Sequence, residues 1–291
     1  MTNNQIYRKF KTIPTQMSEK HFDLFVLPHL SKGKSGPNSK LPFFKIFNYI
    51  LKIIHTGAQW HCMPIEKEIN GKPEIHFTNV YRIFQRWAND GSLLKVFGSI
   101  VKSLVQNNLL DTSILHGDGT TTAAKKGGDI VGYSGHKHYV GEKIVTIVDR
   151  NVNVIAPFIT SPANTNESIL FPEALQGLKE IAKFAGIDLS GSVMSLDSAY
   201  DSRKNRKMIF NNDMVPNIKE NKRNRKNEKR GPKRIYDERV FQERFYTVER
   251  AFAWEDKFKR LLLRFEKISK NHFAMKLIAY AMINLRHFCI A

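Results

Sequence analysis

The sequence predicts an α/β or α+β core from about residue 113 to 291, preceded by a helical region over residues 1–112. Three observations lead there. Apolar residues recur at helical spacing in the first third, short apolar or β-branched runs begin near residue 113, and helical stretches are interleaved with those runs.

In the first third, Phe44, Phe47, Ile50, Leu51 and Ile54 form one stripe, and Val80, Ile83, Phe84 and Trp87 form another. Each stripe is one buried helix face. Gly57 and Gly91 follow these runs where a left-handed C-terminal cap is expected, and Thr78 and Ser92 are candidate N-caps. The polar stretch 31–40 reads as a loop. Beyond it, runs at 113–117, 143–148 and 152–159 predict three strands in a meander, with Asp149, Arg150 and Asn151 making a tight connection. A helix is expected over 167–184, then a strand at SVMSLD, a helix over 202–210 and a fifth short strand at MVPNI. Residues 219–234 carry nine basic and two acidic side chains and almost nothing apolar, so they contribute nothing to a core. A long helix over 237–269 and a last apolar helix, HFAMKLIAYAMINLRHF, complete the reading.

With 46 Lys and Arg against 27 Asp and Glu, the formal charge is +19, so polyanions are the expected partners. Charge alone does not separate DNA from RNA or anionic lipid. The segment MTNNQIYRKFKTIPTQ lacks the apolar core of a signal peptide, and no stretch approaches the ~18 apolar residues of a membrane span. A cytoplasmic, nucleoid-associated protein with no membrane partner is expected. Cys62 and Cys289 are the only cysteines and lack the spacing of a zinc site or disulfide framework.

Two carboxylates stand at the ends of expected strands: Asp118 in ILHGDGT and Asp197 in VMSLDSAYDS. Glu249 sits at the border of the stripe formed by Val248, Ala251, Phe252, Phe258, Leu261, Leu262, Phe265 and Ile268. Phosphodiester attack by water or a 3′-hydroxyl is served by two divalent cations roughly 3.5–4 Å apart, and such hard cations take oxygen ligands. A small acidic cluster in a basic surround suits that chemistry. The plainer roles are a turn former before Gly119 for Asp118, a helix N-cap for Asp197 and a solvated helix residue for Glu249.

At these residues the sequence resembles the bacterial insertion-sequence transposases of the Insertion Sequence 5 group. IFNYILKIIHTGAQWHCMP and NVYRIFQRWANDG resemble the N-terminal signature of that group, and HGDGT, LDSAYDS and VERAFAWEDKFKRLLLRFEK resemble its three acidic motifs. The resemblance implies a DDE transposase with the triad Asp118, Asp197 and Glu249 as catalytic and metal-binding residues. It further implies a ribonuclease-H-like core with a mixed five-stranded sheet, two Mg2+ or Mn2+ ions, double-stranded DNA with terminal inverted repeats as substrate, and a homodimer or higher multimer on DNA. The chain departs from the pattern at Asp256, where many relatives carry a basic residue that Lys257 could replace, and at Ser198, often Lys or Arg. A DNA endonuclease without strand transfer, or an inactive DNA-binding relic, would carry the same motifs.

DNA contacts are expected from the basic segment 219–236, chiefly Lys222, Arg223, Arg225, Lys226, Lys229 and Arg230. Lys257, Arg260 and Arg264 follow Glu249 at spacings near whole turns of a 3.6-residue helix, which predicts a phosphate track beside it. Arg82 and Arg86, one turn apart, are candidates for a DNA-binding or dimerisation surface. Roughly 20 residues separate Gly57 from Thr78, too many for the turn of about 3–4 in a helix-turn-helix. His136 and His138 read as structural or phosphate-facing rather than as zinc ligands, and Trp254 as a packing residue.

Overall fold

The structure, a computed structural model, describes residues 10–33, 39–156, 159–221 and 235–289. Its first part is helical. The helix α1 (Glu19–Phe25) starts at Ser18, whose hydroxyl accepts the His21 N–H. The helix α2 (Phe43–Thr56) buries Ile46, Phe47, Ile50, Leu51, Ile53 and Ile54, and ends at Gly57 with φ 78°, the left-handed cap its glycine suggests. The helix α3 (Phe77–Asn89) buries Val80, Phe84 and Trp87. The caps of the next two helices differ from expectation. His76, not Thr78, caps α3, its ring accepting the Thr78 N–H, and Gly91 with φ 81° precedes α4 (Ser92–Gln106), where Asp90 takes the Ser92 N–H at 2.9 Å.

The sheet contains β1 (Ile114–Ala124), β2 (Gly132–Ser134), β3 (Tyr139–Asp149), β4 (Ile159–Pro162), β5 (Val193–Leu196), β6 (Val215–Ile218) and the short β7 (Leu263–Arg264). Seven strands, where five were expected, make up the sheet among the described residues: β2-β3-β1-β5-β6 lie in that order, and the short β4 and β7 add to it by pairing with β3 and β1. β1 is antiparallel to β3 and parallel to β5, and β5 is parallel to β6, so the sheet is mixed. The helix α5 (Glu167–Ala185) precedes β5, and α6 (Arg203–Phe210) joins β5 to β6. Pro172 lies inside α5, where it cannot donate to the carbonyl four residues back. Asn205 of α6 supplies the missing donor, its Nδ2 lying 3.2 Å from Ser168 O.

Three further expectations are corrected. First, Gly119 does not turn the chain: β1 continues to Ala124, because its pairing with β3 runs through Asp118↔Thr146 to Ala123↔Gly141. Asp118 is therefore mid-strand. Second, residues 152–156 form only an isolated bridge, Val148↔Val154, rather than a strand. Asp149 Oδ1 accepts the N–H groups of Asn151 and Asn153, closing a turn, and the Asn284 amide binds both Val154 N and Val154 O, occupying the groups a ladder would use. Third, 237–269 is not one helix. It breaks into α7 (Glu238–Gln242), a 3-10 turn (Glu243–Tyr246), α8 (Val248–Glu255), a second 3-10 turn (Lys259–Leu261) and β7.

The last helix, α9 (Ser269–Leu285), is buried on all sides and packs against α2, α3, α4 and α8. One continuous hydrophobic cluster, from Ile13 to Cys289, thus joins the N-terminal helices to the sheet. Glu255 at the end of α8 is bound by Lys276 and Tyr280 of α9, which fixes α8 on this core. Among the described residues no helix is long and apolar enough to cross a membrane.

Candidate active site

The sheet register brings the two aspartates together. β1 and β5 pair in parallel at His116↔Ser195, so two residues further along Asp118 and Asp197 come level on neighbouring strands. Neighbouring strands lie about 4.8 Å apart. Asp197 follows the last residue of β5, and its Oδ1 caps the ensuing turn by accepting the Ala199 N–H at 2.7 Å. Its plain capping role and its place in the site are therefore compatible. A third carboxylate joins them: Glu167, first residue of α5, places an oxygen within 4.8 Å of the oxygens of Asp118 and Asp197.

Asp118 is the most enclosed of the three. Its Oδ1 accepts the Gly119 N–H at 2.8 Å, and its Oδ2 lies 2.6 Å from Arg244 Nη2. Burial pushes its pKa up to about 7; Arg244 and the Gly119 N–H pull against that shift, while the charges of Asp197 and Glu167 add to it. Arg244 is delivered by the 3-10 turn before α8. The same turn is anchored by Glu243, which accepts both Arg150 Nε at 2.7 Å and Arg150 Nη2 at 2.8 Å.

Glu249, in the first turn of α8, is exposed and does not belong to the trio of close oxygens. It does face the same space. A cavity of about 240 Å³ is lined by Asp118, Asp197, Ser198, Lys219, Phe241, Arg244, Phe245 and Glu249. Three acids expected from distant motifs thus border one cavity, with two cationic side chains among them.

The other candidates fare differently. Lys222, Arg223, Arg225, Lys226, Lys229 and Arg230 lie outside the described residues. The flanks of their segment are stapled together, Asn217 and Asp237 exchanging hydrogen bonds of 2.8 and 3.0 Å, and Lys219 lines the cavity. Lys257 is exposed just beyond α8. Arg260 and Arg264 are not solvated: Arg260 is buried against Glu266 at 2.7 Å, and Arg264 is fully buried between Asp129 at 2.6 Å and Glu142 at 2.5 Å. The expected track beside Glu249 required one continuous helix, and the breaks after Glu255 turn both guanidiniums inward. Arg82 is exposed and Arg86 is half-buried. Both line a groove of about 950 Å³ with Lys32, Lys40 and Lys72, and Arg86 stacks over Phe43 at 5.8 Å.

Residues 108–285 match the family described as Transposase DDE domain. The chain belongs to that family. The match spans the whole sheet, α5 through α9, and every acid that borders the cavity. Among solved structures, this DDE-family chain is similar to the piggyBac transposase synaptic complex with hairpin DNA, at 10% identity and a TM-score of 0.46, covering 84% of this chain and 66% of that one. It is also similar to the Mos1 transposase paired-end complex with left transposon end, at 13% identity and a TM-score of 0.27, covering 64% of this chain and 61% of that one. It spans no more than about two thirds of either. No curated protein matches it.

Sequence reasoning overlooked Glu167 and Arg244. Glu167 follows Asn166, whose side chain accepts the Ser168 N–H at 2.8 Å, so it reads as an ordinary first-turn acid. Arg244 stands only five positions before Glu249, and that proximity was the available signal.

Proposed function

We propose that this chain is a DNA transposase of the Insertion Sequence 5 group that cuts the ends of an insertion sequence and joins them to target DNA. The observation that carries this reading is the meeting of Asp118 and Asp197 beside Glu249 in one cavity, within the span that matches the DDE transposase family. A first acid on β1, a second directly after a parallel neighbour strand and a third on a late helix is the order a ribonuclease-H-like core requires.

The donor set fits divalent cations of the hard class. The oxygens of Asp118 and Asp197 crowd within 4.8 Å, and the ligand atoms on offer are all carboxylate oxygens. Asp118, Asp197 and Glu249 would hold the two ions, Mg2+ or Mn2+. When bound, the ions stabilise the attacking and leaving oxygens of the phosphodiester. Around them the chain positions DNA. Lys219 and the planar guanidinium of Arg244 present donors to phosphate at the cavity wall. Water and then a 3′-hydroxyl serve as nucleophiles, so no side chain forms a covalent intermediate. The basic segment and the groove at Arg82 and Arg86 extend the phosphate contacts, with the helices of 1–112 serving DNA binding or dimerisation within a dimer or higher multimer on DNA.

The test is incubation with radiolabelled ends of the flanking element, target DNA and Mg2+. Joined products are expected. Nicked ends without any joints would leave an endonuclease of the same fold in place of a transposase.

A further inference from the structure

The carboxylate nearest the two aspartates is Glu167 rather than Glu249, and several features of the fold serve to keep it there. An ideal Cβ on Gly119 would come within 2.9 Å of both Glu167 Cδ and Glu167 Oε1. The glycine that follows Asp118 therefore opens the space the glutamate fills, at a strand position where no turn requires it. From the other side Lys143 of β3 holds the acid, with Nζ 3.2 Å from Glu167 Oε1 and 2.9 Å from Thr165 O. Tyr200 ends the turn that Asp197 caps and packs on Phe171, one helical turn beyond Glu167. Its ring is fully buried against Phe171, and its hydroxyl has no hydrogen-bond partner among the described residues. That hydroxyl lies within electrostatic reach of Glu167, Asp118 and Asp197. An unsatisfied buried hydroxyl beside three crowded carboxylates marks a place where a hydrated cation, with its shell of water, completes the hydrogen bonding.

We propose that Glu167 is a fourth carboxylate of the site, joining Asp118 and Asp197 around one divalent cation, in addition to Glu249. The proposal rests on the metal-dependent reading above. Lys143 then orients Glu167 and moderates its charge, and Gly119 is required as a gap rather than as a turn.

The experiment measures cation affinity directly, by Mn2+ titration followed by electron paramagnetic resonance and by Tb3+ luminescence, on the full chain without DNA. Wild type is compared with Glu167→Gln, Gly119→Ala, their double variant and Asp197→Asn, with thermal unfolding as a check on the fold. Loss of a direct ligand is expected to weaken Mn2+ binding at least about tenfold in Glu167→Gln, no less than the loss of an outer-shell partner does. Gly119→Ala should weaken binding in wild type and add little to Glu167→Gln, because both act on one carboxylate. If Asp197→Asn weakens binding while Glu167→Gln matches wild type, Glu167 is a structural partner of Lys143 and the proposal falls, leaving the triad intact. If wild type itself binds neither ion, both the proposal and the metal-dependent reading fall together. If Glu167→Gln does not fold, an unaltered affinity in folded Gly119→Ala overturns the proposal.

Discussion

A buried carboxylate keeps its charge only as far as donors and cations replace the lost water. Asp149 illustrates the balance away from the active site. It accepts N–H groups from Asp111, Asn151 and Asn153, yet burial pushes its pKa up to about 6. Since an unfolded Asp titrates near ~3.9, the folded chain holds the extra proton between about pH 4 and 6. This contribution to stability is complete at the acid end and is lost as pH rises through that window. Denaturant unfolding at intervals from pH 4 to 7 should show a downward slope in wild type that is shallower in Asp149→Asn, since Asp118 and Glu142, also raised by burial, contribute to the slope in both; identical slopes would contradict it. Arg264 was misjudged for a related reason. Its spacing from Glu249 suggested a surface, but Glu142 and Asp129 come from parts of the chain more than a hundred residues away, and nothing local announces them.

Elements whose period and caps agree were legible from the sequence. Helices α2 and α5 and strands β5 and β6 lie close to where patterning puts them, because each carries a single periodicity and clear terminators. The failures came where tertiary partners decide. The polar run GDGTTT looks like a turn, and only its ladder with β3 makes it strand. The apolar stripe beyond Glu249 keeps helical spacing, but α8 ends at Glu255 and the backbone departs from helix at Phe258, with φ −88° and ψ 83°; upstream, Thr247 with φ −120° and ψ −90° already separates α8 from the turn before it. Asn284 of α9 decides a third case by claiming Val154 N and Val154 O at 2.9 and 2.8 Å. Asn284→Ala should therefore destabilise the fold by about 1–3 kcal/mol for each backbone group left unsatisfied. Equilibrium unfolding measures this, and a loss below ~0.5 kcal/mol, the low end for a single hydrogen bond, would show that water replaces the amide.

At the scale of the whole molecule, the +19 charge and membership of the DDE transposase family both support the DNA-acting role proposed above. The site was legible as far as its two aspartates, because each stands beside a short apolar run that patterning places in the sheet. Its fourth acid was not, since the seat of α5 is set by its packing on α4, α6 and β3, which no local pattern announces. Replacing Lys222, Arg223, Arg225, Lys226, Lys229 and Arg230 with Gln should flatten the dependence of DNA affinity on salt, by up to ~0.9 in log–log slope for each phosphate no longer neutralised. Fluorescence anisotropy across a salt series reads that slope, and an unchanged value would remove the segment from the DNA path. The central claim is that Asp118 and Asp197 jointly hold the cations that act on the phosphodiester. Mg2+-dependent nicking of an element end by wild type, Asp118→Asn and Asp197→Asn tests it most directly. Both variants should lose at least about 100-fold in rate, the upper end of what even an outer-shell change at a metal site costs, while remaining folded and DNA-bound. Nicking at the wild-type rate in either variant would contradict the assignment.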